Sequence, residues 1–112
     1  VTLVMPEADE DDDVERRGGV RGPVTGLMAA VGGLAAAPIV EAGTKALFVE
    51  LPDPDVLPLG VPTDAVLMSP KRRAHARVDV IRKEIAPRRG VALLIVSMSP
   101  ADEEAWSAML HP

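Results

Sequence analysis

The sequence predicts a small α/β domain, in which a sheet of about four strands is flanked by about three helices. Two apolar, β-prone runs, at residues 46–51 and 91–98, are typical of strands. The pairs Ser69-Pro70 and Ser99-Pro100 each place a capping hydroxyl before a proline that suits the first turn of a helix. Together these signals predict strands and helices that alternate along the chain.

The N-terminal half of the domain is predicted to begin with a helix at about residues 24–31. Its apolar residues recur at helical spacing, and Gly32-Gly33 supplies a stop. A short apolar strand is expected at 34–40, where Pro38 restricts it to a sheet edge or to the end of a strand. The helical face consists of Val24, Leu27, Met28 and Val31.

A strand at 46–51 follows, and the proline-rich segment 52–62 then reads as an extended connection to a further strand at 64–68. The Ser69-Pro70 pair opens an arginine-rich helix over residues 71–85, which Pro87 closes. Its apolar stripe comprises Ala74, Val78, Ile81 and Ile85.

The strongest strand signal, 91–98, precedes a final helix capped by Ser99, with Asp102 three residues further on. This helix carries Trp106, Met109 and Leu110. Trp106 is expected to anchor a core or a dimer interface rather than to contact a ligand.

Composition limits the chain to one domain, since 112 residues, 47% of them hydrophobic, bury one modest core. We expect residues 1–22 to form an acidic, disordered arm and linker, and residues 23–112 to form the domain. The absence of cysteine excludes disulfides and thiolate chemistry. With no apolar run long enough for a bilayer and no signal sequence, we expect a cytoplasmic protein without membrane contact.

Charge lies in two blocks of opposite sign that could attract each other. Residues 7–15 hold seven acids and no base, whereas residues 71–89 hold eight Lys or Arg against two acids. The acidic block is best explained as a solvated segment. Alternation of Asp9, Asp11 and Asp13 suggests a calcium loop, but Val14 and Val20 occupy the positions that need Gly and Glu.

Candidate chemistry is sparse, and we predict no catalytic residues, no cofactor and no metal. The two histidines, His75 and His111, lack a ligand spacing, and the four serines lack a nucleophile motif. The basic helix is expected to expose its cations on both flanks, namely Lys71, Arg73, His75, Arg77 and Arg82. Net charge −5 and the lack of stacking aromatics argue against direct nucleic-acid contact.

Three segments in order resemble the C-terminal part of the effector-binding domain of LysR-type transcriptional regulators. They are a glycine-rich exit at 32–38, a strand ending in prolines at 46–54, and a strand leading into the arginine-rich stretch 65–78. The resemblance covers residues 33–86 and implies part of a periplasmic-binding-protein-like subdomain. The strand and helix at 91–112 have no counterpart in it.

Two function classes follow. The resemblance implies a regulatory fragment that senses a ligand or dimerises, without the DNA-binding helix-turn-helix. Its partners would be a second copy or a larger regulator chain, with a small-molecule effector as an open alternative whose contact residues cannot be named. The second class is a small α/β protein-interaction module without a transcriptional role. An enzyme ranks below both.

Overall fold

A computed structural model of the chain describes residues 22–111, of which 49% lie in strands and 16% in helices. Seven strands and one α-helix make up this part of the chain. A single 3₁₀ turn, Pro54–Val56, lies in the long connection before the fifth strand. The elements are β1 (Gly22–Pro23), β2 (Met28–Val31), β3 (Ala37–Ala42), β4 (Ala46–Glu50), β5 (Thr63–Met68), β6 (Arg73–Glu84), β7 (Gly90–Ser97) and α1 (Pro100–Leu110).

Six of the strands close into an antiparallel barrel. They follow the order β3-β2-β5-β6-β7-β4, and β4 pairs again with β3, so the sheet returns to its start. The short strand β1 pairs with β3 on the same side as β2, beyond the residues with which β2 pairs. The predicted α/β fold class, with its four-stranded sheet between three helices, is therefore wrong, and so is the α/β description of residues 23–112.

The barrel interior is filled mainly by aliphatic side chains, and each strand turns alternate residues inward. Ala74, Ala76, Val78 and Val80 of β6 are buried, whereas the residues between them face outward. The same core takes in Leu47 and Val49 of β4, Leu67 of β5, Val91 and Leu93 of β7, and Trp106 and Met109 of α1.

Helix α1 closes one end of the barrel, and its prediction is confirmed. The Ser99 hydroxyl accepts a hydrogen bond from the Asp102 amide at 3.1 Å, and Pro100 occupies the first turn. Indole Nε1 of Trp106, which is 2% exposed, donates to the Gly43 carbonyl at 3.0 Å. That bond ties the helix to the β3–β4 turn, so Trp106 is a core residue.

The two other predicted helices are wrong. Residues 24–31 contain a bend at Gly26, which has φ +78°, followed by β2, whose Ala29 and Val31 face the core. Gly32 and Gly33, at φ +61° and +85°, form the turn after a strand rather than a helix stop. Residues 71–85 are a hairpin turn and the long strand β6, because β5 offers it a hydrogen-bonding edge from Thr63 to Met68.

Three predicted strands are confirmed, with small shifts at their ends. They correspond to β4, β5 and β7. The strand expected at 34–40 begins later, at Ala37, and continues to Ala42. Of the predicted acidic arm and linker, residues 1–22, only Gly22 is described, as part of β1. Residues 1–21, with the calcium-like alternation, lie outside the described residues.

Candidate binding face

A row of basic side chains, here called the cationic row, stands on the outer surface of β6. Arg73, His75 and Arg77 alternate with inward alanines and valines, so all three point away from the core. The His75 side chain is 74% exposed and that of Arg77 is 51% exposed. What was expected as two cationic flanks of a helix is one cationic row on a sheet.

The turn between β5 and β6 adds two more cations to this row. Ser69 Oγ accepts hydrogen bonds from the amides of Lys71 at 3.3 Å and Arg72 at 3.1 Å. The Ser69 amide donates to the Arg72 carbonyl at 3.0 Å, which closes the turn. Both side chains are exposed. We call Lys71, Arg72 and Arg73 the cationic hairpin.

Apolar side chains lie beside the cationic row on the neighbouring strands. Across β5, Met68 pairs with Arg73 and Val66 pairs with His75. Ala30 of β2 lies opposite Val66. An open groove of about 720 Å³ follows these strands and is bordered by Met98, beyond the end of β7. The outer surface of β2, β5 and β6, with the cationic hairpin, is the open face.

Two acidic side chains near the open face are already bound. Asp64 accepts a hydrogen bond from Arg77 at 2.8 Å. Asp102 accepts the His75 backbone amide at 3.1 Å and the Ser99 hydroxyl at 2.8 Å. The His75 amide bond, and after it the Ser99 hydroxyl, lowers the pKa of Asp102. Its carboxylate therefore fixes the start of α1 against β6.

The cationic hairpin has no such partner among the described residues. Within 22–111, ion pairs neutralise Arg77, Arg82, Lys83 and Arg88. No acidic side chain of that range lies within 4 Å of the charged groups of Lys71, Arg72 or Arg73. Three consecutive uncompensated cations favour a bound anionic group.

The outer surface around Phe48 of β4 is, by contrast, covered. The Arg88 guanidinium lies over the Phe48 ring and pairs with Glu41 at 3.1 Å and Glu84 at 3.0 Å. Arg82 also pairs with Glu84, at 2.7 Å. The hydrogen bonds from Arg88, and after them those from Arg82, lower the pKa of Glu84. This cluster leaves Phe48 fully buried.

The other candidate residues from the sequence analysis lie away from the open face. Arg82 belongs to the Glu84 cluster and not to the open face, and exposed His111 follows the end of α1. Among residues 22–111, no three or more His, Cys, Asp or Glu side chains come together in a way that could hold a metal ion. In the same range, no helix combines the length and apolar composition that a membrane crossing requires.

Sequence reasoning missed Asp64, Val66 and Met68 as part of the face. Residues 73–80 read Arg-Ala-His-Ala-Arg-Val-Asp-Val, a strict alternation that signals a half-buried strand. Taken as a hairpin partner of residues 63–68, that strand would have placed these side chains beside the cations.

A scan against protein-family models finds no match for this chain, and a search of curated proteins finds no significant relative.

Proposed function

We propose that this protein is a non-catalytic interaction module that binds an acidic, extended polypeptide segment on the open face. The observation that carries the proposal is the cationic hairpin, whose three charges have no acidic partner within residues 22–111. The hairpin adjoins exposed His75 and the Asp64-paired Arg77 on β6, next to apolar Val66 and Met68.

An acidic polypeptide fits the open face better than a nucleic acid does. Single-stranded nucleic acids bind by stacking bases on aromatic side chains. The only aromatic residues, Phe48 and Trp106, are buried, and the net charge is −5. The groove instead offers methionine, valine and alanine, which suit the apolar side chains of a peptide.

The proposal develops the second of the two function classes. The regulatory role implied by the resemblance to LysR-type regulators stays a prediction on which no comparison bears. Both classes were expected to have an α/β arrangement, which is not the one found. The proposal keeps only the interaction role of the second class, and the cationic hairpin supports it.

The test is an NMR titration of the full chain with a ten-residue oligoglutamate. The titrated chain carries seven substitutions that remove its own acidic block: Glu7→Gln, Asp9→Asn, Glu10→Gln, Asp11→Asn, Asp12→Asn, Asp13→Asn and Glu15→Gln. We call it the neutralised chain. Chemical-shift changes are expected at residues 64–68 and 71–77, and they are expected to weaken as salt is added.

Matched substitutions locate the binding. In the neutralised chain, Arg73→Ser should weaken binding about twofold to threefold, and replacing all three hairpin cations by Ser about tenfold, at about 0.5 kcal/mol per exposed pair. Arg89→Ser removes one charge away from the face and should change nothing. Absence of binding, equal loss in Arg73→Ser and Arg89→Ser, or preference for a ten-nucleotide oligothymidylate would overturn the proposal.

A further inference from the structure

We infer that the cationic hairpin is occupied by the acidic block of the same protein, residues 7–15, which therefore competes with any external acidic partner. This inference rests on the proposed function, because it names an occupant for the same face. Three independent features support it: the division of charge, the position of the unpaired cations, and the end of the barrel at which the described chain begins.

Most of the net negative charge of the protein comes from the segment that contains the acidic block. Residues 22–111 contain ten acidic and nine basic residues, which is close to neutrality. The other four negative charges of the net −5 come from residues 1–21, where seven acids at 7–15 outweigh three arginines. The chain therefore carries its own ligand of the chemistry that the face favours.

The cations without partners are not spread evenly. Of the nine Lys and Arg residues at 22–111, five form no ion pair with an acid of that range. Three are the consecutive residues of the cationic hairpin. A fourth, Lys45, lies in the β3–β4 turn. These four share one end of the barrel, as the strand pairing requires.

The described chain also begins at that end. Gly22 pairs with Ala42, immediately before the turn that holds Lys45. Met68, the last residue of β5, pairs with Met28, the first residue of β2, and with Arg73, the first residue of β6. The cationic hairpin therefore lies at the end of the barrel where β1 and β2 begin. The hairpin and the first described residue therefore lie at the same end.

The connection is long enough to join them. Between β3 and β6 there are three strand spacings, or about 14 Å across the sheet. The six residues between Glu15 and Gly22 can span about 20 Å when extended. A tethered acidic block reaches the cationic hairpin without any change in the barrel.

Tethering makes the block an effective competitor. A segment held by a short linker acts at an effective concentration of about 1 mM. Against an intrinsic dissociation constant of about 0.1 mM, this would weaken the apparent binding of an external acidic peptide about tenfold. We expect the neutralised chain to bind oligoglutamate about tenfold more tightly than the wild-type chain does.

Zero-length carbodiimide coupling tests the contact directly, because it joins a carboxylate to a primary amine, such as that of lysine, without a spacer. The chain has three lysines. Lys83 pairs with Asp55 at 3.2 Å and provides the internal positive control. Cross-links from Lys71 to residues 7–15 are expected at low salt. The double variant Arg72→Ser, Arg73→Ser keeps Lys71 and should reduce them severalfold, while the Lys83–Asp55 product is unchanged.

A mixture of ¹⁴N- and ¹⁵N-labelled chains assigns each cross-link to one chain or to two. Mixed-isotope products would indicate exchange of the acidic block between copies, and single-isotope products a contact within one chain. The tethered contact predicts single-isotope products, and products that are all of mixed isotope would contradict it. Loss of mixed products on dilution, with single-isotope products retained, would specify the intrachain form.

The outcomes separate this inference from the proposed function. If oligoglutamate binds the neutralised and wild-type chains equally and Lys71 forms no cross-link to 7–15, the acidic block is not the occupant and the proposed function stands. If the cross-links form and oligoglutamate does not bind the neutralised chain, the self-contact stands and the external partner fails. If neither is observed, both are wrong.

Discussion

The guanidinium carbon of Arg88 lies 3.8 Å from the centroid of the Phe48 ring, on the outer surface of the barrel. Glu41 and Glu84 hold the guanidinium in place from two sides. This cation covers an aromatic ring that the barrel interior does not accommodate. The closed surface around Phe48 explains why binding is assigned to β2, β5 and β6 instead.

Replacing Arg88 should therefore cost stability. We expect Arg88→Ala to lower the free energy of unfolding by about 1 to 2 kcal/mol, because it exposes Phe48 and leaves Glu41 without its cation. Arg88→Lys should recover part of the loss, since it keeps the charge but not the planar guanidinium and its several N–H donors. Urea denaturation measures both. Arg89→Ala, at the neighbouring exposed position, should stay within about 0.5 kcal/mol, and an equal loss there would contradict the assignment.

The Glu84 carboxylate should make stability depend on acid. Its folded pKa is lowered from the ordinary value of 4.5, first by Arg88 and then by Arg82. A lowered folded pKa adds stability that is present above about pH 4.5 and is lost as pH falls through the folded value. Glu84→Gln should therefore reduce the steepness with which the urea midpoint falls on acidification.

Asp102, whose pKa is also lowered, should leave part of that acid dependence in Glu84→Gln. The matched control is Glu104→Gln on the exposed side of α1, which should retain the full acid dependence. Identical profiles for Glu84→Gln and the wild-type chain below about pH 4.5 would show that the Arg88 cluster does not form.

Gly90 should tolerate no side chain. A Cβ built there would lie 2.1 Å from the Val49 carbonyl oxygen and 2.9 Å from a Phe48 ring carbon. We expect Gly90→Ala to destabilise the fold by at least about 2 kcal/mol in urea denaturation. Gly22→Ala meets no atom within 4 Å and should change stability by less than about 0.5 kcal/mol. Similar effects of the two substitutions would argue against the β4–β7 pairing.

Removing the Trp106 hydrogen bond should loosen the closed end of the barrel. Trp106→Phe keeps most of the buried ring but leaves the Gly43 carbonyl without its donor, for an expected loss of about 1 to 2 kcal/mol. Ser107→Ala, at the next and exposed position of α1, is the control. Because Trp106 is the only tryptophan, blue-shifted emission of the wild-type chain should report its burial. Emission typical of a solvent-exposed indole would contradict the packing of α1.

Part of this fold could be predicted because some strands and the final helix have local signals. Residues 46–51 and 91–98 are bounded by glycine or proline and match β4 and β7 closely. Ser99 caps α1 through its own hydroxyl. Such boundaries depend on neighbouring residues and need no knowledge of the rest of the chain.

The helix predicted at residues 71–85 was wrong because positions four apart share a face in both a helix and a strand. Ala74 and Val78 therefore fit either structure, and only the intervening Ala76 and the outward His75 favour the strand. Ser69 accepts backbone amides as an N-cap would, but in a hairpin turn. Closure of the barrel rests on the pairing of β3 with β4 and of β4 with β7, which no local pattern specifies.

The cationic row was recognisable as a set of charges but not as a surface. Its members were known, yet a helical interpretation divided them between two flanks and hid the apolar neighbours Val66 and Met68. In a strand, alternation brings Arg73, His75 and Arg77 onto one side, and the β5 register places the apolar side chains beside them.

The most direct measurement is therefore the proton NOE pattern of residues 64–77 in the full chain. The account predicts cross-strand backbone contacts between Asp64 and Arg77 and between Val66 and His75, as their pairing requires. Such contacts would place the cationic row on the open face. Helical contacts between residues three apart along 71–85, without the cross-strand contacts, would contradict the strand, the open face and the function built on them.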